Sequence, residues 1–369
     1  MDYEIRCSTC GKLSPSILNF KCSFCGKPLI LLQNRKFVLE HIDERNYSLW
    51  RYAHFFPYVK TTDIITLGEG WTPLVNFSNN VYFKLENLNP TGSFKDRGST
   101  VLISSLHKLV KDAGGYIAED SSGNAGASIA AYASFAKLKA KIYVPKNVSG
   151  SKLRQIYFYG ADVLKVSGDR CKVAEEAQKP ENGKFYLGHI LHPFFRDGIR
   201  TLAYEIAEQF EWQVPELIYL PVSAGTLLLG VLNGFKHLVD SNILEKMPKI
   251  IACQTRQVSP LYHQLKNLRY NPPKKVNSIA DALVSVNPPL LKIMVDTLKE
   301  ANGDSVIVEE NEIFDAFLEL AQRGFFVEPS SAVAYAAYKK QLANREFSPS
   351  VNVVIILTGT GLKTTVKPP

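Results

Sequence analysis

The chain has 369 residues, 46% of them hydrophobic and 21% charged, with a formal net charge of +8. That length allows two domains or one large α/β unit, and the composition is that of a globular chain without long disordered segments. The lysines and arginines are spread out, with no long run of like charge, so the balance suits small anions and makes neither a nucleic acid nor a membrane the expected partner.

The opening Met-Asp-Tyr-Glu-Ile-Arg-Cys has no apolar core after a basic region. The uncharged run 217–235 is broken by Pro221, Ser223 and Gly225, so a cytoplasmic protein is expected. Four of the six cysteines lie in the first 25 residues, as Cys7-x-x-Cys10 and Cys22-x-x-Cys25, each pair followed by Gly-Lys. Each pair can put two thiolates on one side of a tight turn, with Gly11 and Gly26 letting the backbone curl beneath them. Two such knuckles make a tetrahedral four-sulfur site suited to a structural zinc, with Cys7, Cys10, Cys22 and Cys25 as ligands. Two disulfides or a redox pair are the alternatives. The missing secretory signal argues against the first, and the second knuckle against the other. A zinc ribbon over 1–30 is expected, ahead of a main body over 31–369. Cys171 and Cys253 stand alone and read as packing residues.

Residues 33–58 are rich in aromatics and carry no site signal. Leu67 to Leu74, L-G-E-G-W-T-P-L, is a Gly-rich turn. The apolar strand 81–86 runs into Asn89-Pro90-Thr91-Gly92, which is turn chemistry, and a helical pattern begins near Phe94. Lys95 therefore sits where a loop becomes a helix. A lysine there faces the positive end of the macrodipole, so its amine is easier to deprotonate, and a neutral amine is what forms a Schiff base. A solvated surface lysine is the bland alternative.

Helix and strand patterns then alternate: helix 98–111, strand 115–119, helix 124–137, strand 140–144, helix 151–159, strand 162–166 and helix 169–179. Such alternation implies a parallel sheet covered on both faces, with sites at the carboxyl ends of its strands. Asp120-Ser-Ser-Gly-Asn-Ala-Gly-Ala127 lies at one such end. Its small residues let consecutive N–H groups point at an anion, unless Ser122 or Asn124 merely caps the helix. Residues 187–198 read L-G-H-I-L-H-P-F-F-R-D-G. Strand 217–222 leads through Ser223-Ala-Gly-Thr-Leu227 into helix 228–238, a turn that can hold a phosphate by backbone amides or be a plain connection. Strand 250–254, helix 260–268, Ser278-Ile-Ala-Asp-Ala282, helix 309–323 and Phe326-Val-Glu-Pro-Ser-Ser-Ala332 follow. The β-branched strand 351–357 ends the pattern at Thr358-Gly-Thr-Gly-Leu-Lys363.

N-P-T-G-S-F-K-D-R-G at 89–98 resembles the cofactor-lysine motif of the pyridoxal-phosphate enzymes with the tryptophan-synthase-β-like fold (fold type II). Within that group the chain is most similar to the threonine synthases, some of which carry an amino-terminal ribbon. The resemblance continues through G-E-G-W-T-P-L, S-S-G-N-A-G, S-I-A-D-A, F-V-E-P-S-S-A and T-G-T-G-L-K. It implies an α/β fold of two doubly wound sheet domains with pyridoxal phosphate in the cleft, the smaller over roughly 99–190 inserted in the larger, plus the small zinc ribbon.

By the same resemblance Lys95 holds the cofactor and moves protons at Cα and Cβ, and Asn124 bonds the cofactor's phenolic oxygen. Ser223, Ala224, Gly225, Thr226 and Leu227 cup its phosphate, with Ser223 and Thr226 standing where glycines are usual. Thr358 faces its pyridine nitrogen. Ser121, Ser122, Gly123, Asn124 and Ala125 hold the substrate carboxylate. Where threonine synthases read N-S-x-N-P-(Y/F)-R-L-E-G, this chain has His189, Ile190, His192 and Phe195, and its arginine comes one place later, as Arg196. Arg196 is thus the candidate for a substrate phosphate. The implied reaction converts O-phospho-L-homoserine and water to L-threonine and phosphate, by a lyase that is usually a homodimer. A β-eliminating or β-replacing relative acting on serine, threonine or O-phosphoserine is the alternative, since S-S-G-N-A-G is as close to serine dehydratase loops. A nucleic-acid-binding regulator with a degenerate enzyme body is disfavoured by the survival of Lys95.

Overall fold

In the computed structural model, which describes residues 2–148, 150–364 and 366, strand β1 (Tyr3–Cys7) pairs antiparallel with β2 (Leu29–Gln33). Two tight turns lie between them. In each, a cysteine N–H reaches forward to a lysine carbonyl, Cys7 to Lys12 and Cys22 to Lys27, both at 2.9 Å. Such reversals need a left-handed residue, supplied by Gly11 at φ +71° and Gly26 at φ +68°. The ribbon runs slightly past the expected residue 30, because β2 closes it at Gln33.

The next strands, β3 (Leu74–Ser78) and β4 (Val81–Lys84), form a hairpin. Then come α1 (Lys95–Asp112), β5 (Tyr116–Glu119), α2 (Asn124–Phe135), β6 (Ala140–Pro145), α3 (Ser151–Phe158), β7 (Asp162–Val166), α4 (Arg170–Gln178) and β8 (Lys184–Tyr186). Their strands make one parallel sheet in the order β7-β6-β5-β8. Helices α5 (Pro193–Ile199) and α6 (Thr201–Gln209) lead to β9 (Leu217–Pro221), α7 (Thr226–Asp240), β10 (Lys249–Thr255), α8 (Pro260–Leu265) and α9 (Leu291–Glu300). The chain finishes with β11 (Asp304–Val308), α10 (Glu310–Gln322), α11 (Pro329–Ala343) and β12 (Val353–Ile356). The second sheet runs β11-β10-β9-β12-β4-β3, parallel except at the β3–β4 edge.

Two compact units result. One comprises Met1–Gly70, Asn89–Thr91 and Lys95–Ile199, the other Trp71–Leu88, Gly92–Phe94 and Arg200–Pro369. The four-stranded sheet falls inside the expected 99–190 part, while the unit that contains it also takes in the ribbon.

In the first unit, a Cβ on Gly98 would meet the Phe195 ring at 2.5 Å, and one on Gly198 would meet the Arg97 carbonyl oxygen at 2.1 Å. Only glycine lets α1 and α5 approach this closely. Glu69, fully buried, is the acceptor around which this unit's interior is tied. It takes hydrogen bonds from Trp50 Nε1 at 3.0 Å, Leu67 N at 2.9 Å and Tyr132 Oη at 2.6 Å. The Gly-rich turn that surrounds it is therefore a structural knot.

In the second unit the β12 side chains Val353, Val354, Ile355 and Ile356 are all buried, as a strand covered on both faces requires. Each contributes about 1.5–3 kcal/mol by leaving water. Lys84 of β4 is fully buried, its ammonium bonded to Glu205 Oε2 at 2.9 Å, Thr72 O at 2.6 Å and Gln209 Oε1 at 2.8 Å. All three ammonium protons are thereby satisfied. Removing either member of the Lys84–Glu205 pair would strand a buried charge, a loss of about 3–5 kcal/mol. No helix among the described residues is long and apolar enough to cross a membrane.

Candidate active site

Lys95 is the first residue of α1. The turn before it is held by Asp96, which is fully buried. Its carboxylate accepts from Thr91 N at 2.7 Å, Thr91 Oγ1 at 2.6 Å and Ser128 Oγ of α2 at 2.6 Å. A backbone so tied leaves the neighbouring lysine little freedom at its root. Burial pushes the Lys95 amine down to about 8, against the opposing pull of the Glu119 carboxylate. The Lys95 Nζ stands 5.8 Å from the centroid of the Phe195 ring.

Ser121, Ser122, Gly123, Asn124 and Ala125 join β5 to α2. The cap residue is Gly123, and no side chain caps the helix. The loop also folds tightly back on the first turn, since a Cβ on Gly126 would lie 1.8 Å from the Ser121 carbonyl oxygen. An uncapped helix start built from small residues is able to receive an anion through backbone N–H groups. Just before this loop, Glu119 ends β5 and accepts from the backbone N–H of His189 at 3.0 Å. Its other oxygen lies 2.6 Å from His189 Nδ1. The sequence did not single out Glu119, because a glutamate at a strand end carries no signal of its own.

The second unit holds two further groups of expected residues. Gly225 caps α7 with φ +98°, and again no side chain caps the helix. A Cβ there would meet Met294 Sδ at 2.3 Å. Ser223 and Thr226, standing where glycines are usual, have no positive φ. The turn therefore needs its left-handed conformation at Gly225 alone, and the Cβ atoms of Ser223 and Thr226 meet no conformational bar. Thr226 and Leu227 are buried. Thr358 follows β12 and is anchored by its backbone: its N–H donates to Ser331 Oγ at 2.6 Å, and its carbonyl accepts from Phe94 N at 3.1 Å. Its hydroxyl finds no hydrogen-bond partner among the described residues.

Arg196 does not present an anion site. Its guanidinium is buried and donates to three carbonyl oxygens, Ile190 at 2.8 Å, Leu191 at 3.0 Å and Leu29 of the ribbon. The arginine is thus directed at β2. His192 points the same way. Its Nδ1 accepts from Phe194 N at 3.3 Å, so the proton sits on Nε2, which donates to Ile17 O at 3.1 Å. Burial holds His192 down to about 3, and it is neutral.

The four ribbon thiols form one cluster, all within 4.8 Å of one another. Cys7 and Cys25 are 3.4 Å apart, Cys10 and Cys22 3.7 Å. The sulfurs of a tetrahedral zinc site stand about 3.8 Å apart, given Zn–S bonds of about 2.3 Å. Although burial opposes it, the N–H groups of Cys10 and Thr9 hold the Cys7 thiol down at about 6, favouring the thiolate that a metal requires. The residues fit the ion.

The profile of a family described as pyridoxal-phosphate dependent enzyme matches residues 65–359. The threonine synthase of Methanocaldococcus jannaschii is 32% identical over 377 residues, covering 97% of this chain and 92% of that protein. That of Halalkalibacterium halodurans is 31% identical over 331 residues, covering 86% of this chain and 90% of that protein. Among solved structures, the processed form of threonine deaminase isoform 2 from Solanum lycopersicum has a TM-score of 0.69 at 22% identity, over 85% of this chain and 84% of that one. That last likeness is one of fold.

Proposed function

The chain belongs to the family of pyridoxal-phosphate dependent enzymes, and from that membership we propose that it has the activity of a threonine synthase. It is a lyase that converts O-phospho-L-homoserine and water into L-threonine and phosphate. The observation that carries this reading is likeness over nearly the full length, 32% identity across 97% of the chain, to a threonine synthase.

Lys95 is the residue that would bind the cofactor's aldehyde, its amine already lowered to about 8. Bound pyridoxal phosphate supplies an electron sink that acidifies protons at Cα and Cβ of an amino acid. Lys95, displaced by the substrate's amine, would take and return those protons. The α7 start, from Ser223 to Leu227, would bind phosphate through backbone N–H groups. The unpartnered Thr358 hydroxyl would meet the pyridine nitrogen. Being neutral, it keeps the sink moderate, which suits chemistry at Cβ and Cγ. Ser121 to Ala125 would hold the substrate carboxylate, with Asn124 at the phenolic oxygen. Arg196 is left out of this set, because its donors are engaged with carbonyl oxygens. A structural zinc at the four thiols, a homodimeric assembly and a cytoplasmic location complete the reading.

A direct assay tests it. Purified holoenzyme given O-phospho-L-homoserine should release phosphate and threonine in equal amounts, and borohydride trapping with peptide mapping should label Lys95. Production of keto acid from serine or threonine, with no threonine from O-phospho-L-homoserine, would overturn it in favour of β-elimination. The engagement of Arg196 with the ribbon is the one observation that favours this second reading.

A further inference from the structure

The proposed conversion takes protons from Cα, from Cβ and from the water that adds. It delivers one to Cγ and one back to Cα, and the third leaves on phosphate, which departs from Cγ with the C–O electron pair. Lys95 has one lone pair. When water adds at Cβ a base must take its proton, and Cα must next receive a proton from an acid. One amine is in only one of those two states at a time.

The first unit holds a second proton-binding couple on the same ring as Lys95. Glu119 is fully buried and both of its oxygens point at His189, one on the backbone N–H at 3.0 Å and one on Nδ1 at 2.6 Å. Burial works against the Glu119 carboxylate, but His189 holds it below its usual range, so it remains an acceptor and Nδ1 carries the proton. With Nδ1 turned to the carboxylate, the ring nitrogen left open is Nε2. That atom has no hydrogen-bond partner among the described residues, and the side chain keeps 8% exposure. The imidazole packs edge-on to Phe195 at 5.6 Å, and the Lys95 amine lies 5.8 Å from the same ring centroid. The other charges nearby are balanced. Arg170 acts on Glu119 and pairs with Asp120 at 2.9 Å, and Asp120 accepts from Tyr186 at 2.8 Å.

We propose that His189, oriented by Glu119, is the base that takes the proton from water as its oxygen bonds to Cβ, leaving Lys95 as the acid for Cα. The O–H bond of water breaks, the O–Cβ bond forms, and the proton rests on Nε2 until it passes to the departing phosphate or to solvent. His189 is the catalytic residue of this pair and Glu119 the positioning one. The inference rests on the function proposed above.

The test is the partition of products from O-phospho-L-homoserine. The native enzyme should give phosphate and threonine one to one. In His189→Asn, phosphate release should persist while threonine falls about 100-fold. The C4 unit then leaves as 2-oxobutanoate and ammonia, the water being used at the amine-bearing carbon instead. Glu119→Gln keeps the shape and removes the charge. Its threonine share should fall less, and the acid limb of its threonine pH profile should move to lower pH, because a nearby carboxylate stabilises the imidazolium. The cofactor's visible absorption and the circular dichroism of each variant check folding and loading. A structural role for His189 would lower phosphate and threonine together, with their ratio intact in both variants and the pH limb unmoved. That result overturns the pair alone. A native enzyme that makes no threonine overturns the function and the pair with it.

Discussion

The chemistry expected of Lys95 starts from a simple conflict: a cationic side chain in a crowded setting at the wrong end of a helix dipole. From the sequence, the dipole is the expected cause. In the structure the first cause is burial, opposed by Glu119. The consequence for stability has a definite sign. An unfolded lysine titrates near 10.4, whereas folded Lys95 does so at about 8. Between those values the unfolded chain holds more protons, so the contribution of Lys95 to stability rises with pH through this window and is lost as pH falls toward 8. Other groups titrate there too, so the observable is a difference. In cofactor-free protein, the unfolding free energy of the native chain minus that of Lys95→Met should rise by on the order of 2 kcal/mol from pH 8 to pH 10. Urea titrations at four pH values measure it. A flat difference would mean that the amine is solvated like any surface lysine, and would remove the basis for its reactivity.

At the scale of elements, the turn that opens α7 shows what could be read in advance. A buried strand, small residues and a helix start are legible in Leu217 to Leu238, but which of the small residues carries the left-handed backbone is not. It is Gly225, packed against Met294 of α9. Gly225→Ala should cost about 1–3 kcal/mol of stability and weaken pyridoxal-phosphate binding at least about tenfold, one decade per 1.4 kcal/mol lost from the turn. Met294→Ala should restore part of the stability by clearing the space, while the strained φ remains. Titration of the cofactor's absorption measures the first effect, and unchanged affinity would mean that this turn holds no phosphate. Helix α9 itself passed unread, although Leu291, Met294, Val295 and Leu298 repeat at helical spacing and the last three are buried. Strand β8, three residues long, gives no periodic signal at all. Its place beside β5 is set by the sheet and not by its own residues.

For the molecule as a whole, the alternating βα pattern and the paired cysteines were legible because both are local. How the ribbon seats was not, because it depends on backbone carbonyls and on ring geometry. Tyr3 of β1 meets Tyr58 edge-on at 5.1 Å, and Tyr58 stacks on Phe194 at 4.0 Å. His192 and Arg196 donate to Ile17 O and Leu29 O. The segment that carries His189 is thus fastened to the ribbon by its own buried donors, and those carbonyls are fixed only while the two knuckles keep their shape. Loss of the proposed zinc should therefore be felt beyond the first thirty-three residues. Cys22→Ser should lower zinc content from about one ion per chain and drop the unfolding midpoint by at least about 4 °C. It should also open Lys12, Lys21 and Lys27 to trypsin before the rest of the chain is cut. Arg196→Met should lower the midpoint as well, and the double variant should lose less than the sum, because both act through the same seat. Full additivity would show the ribbon and the 189–196 segment to be energetically independent, leaving the arginine's three carbonyl bonds as a local matter of α5.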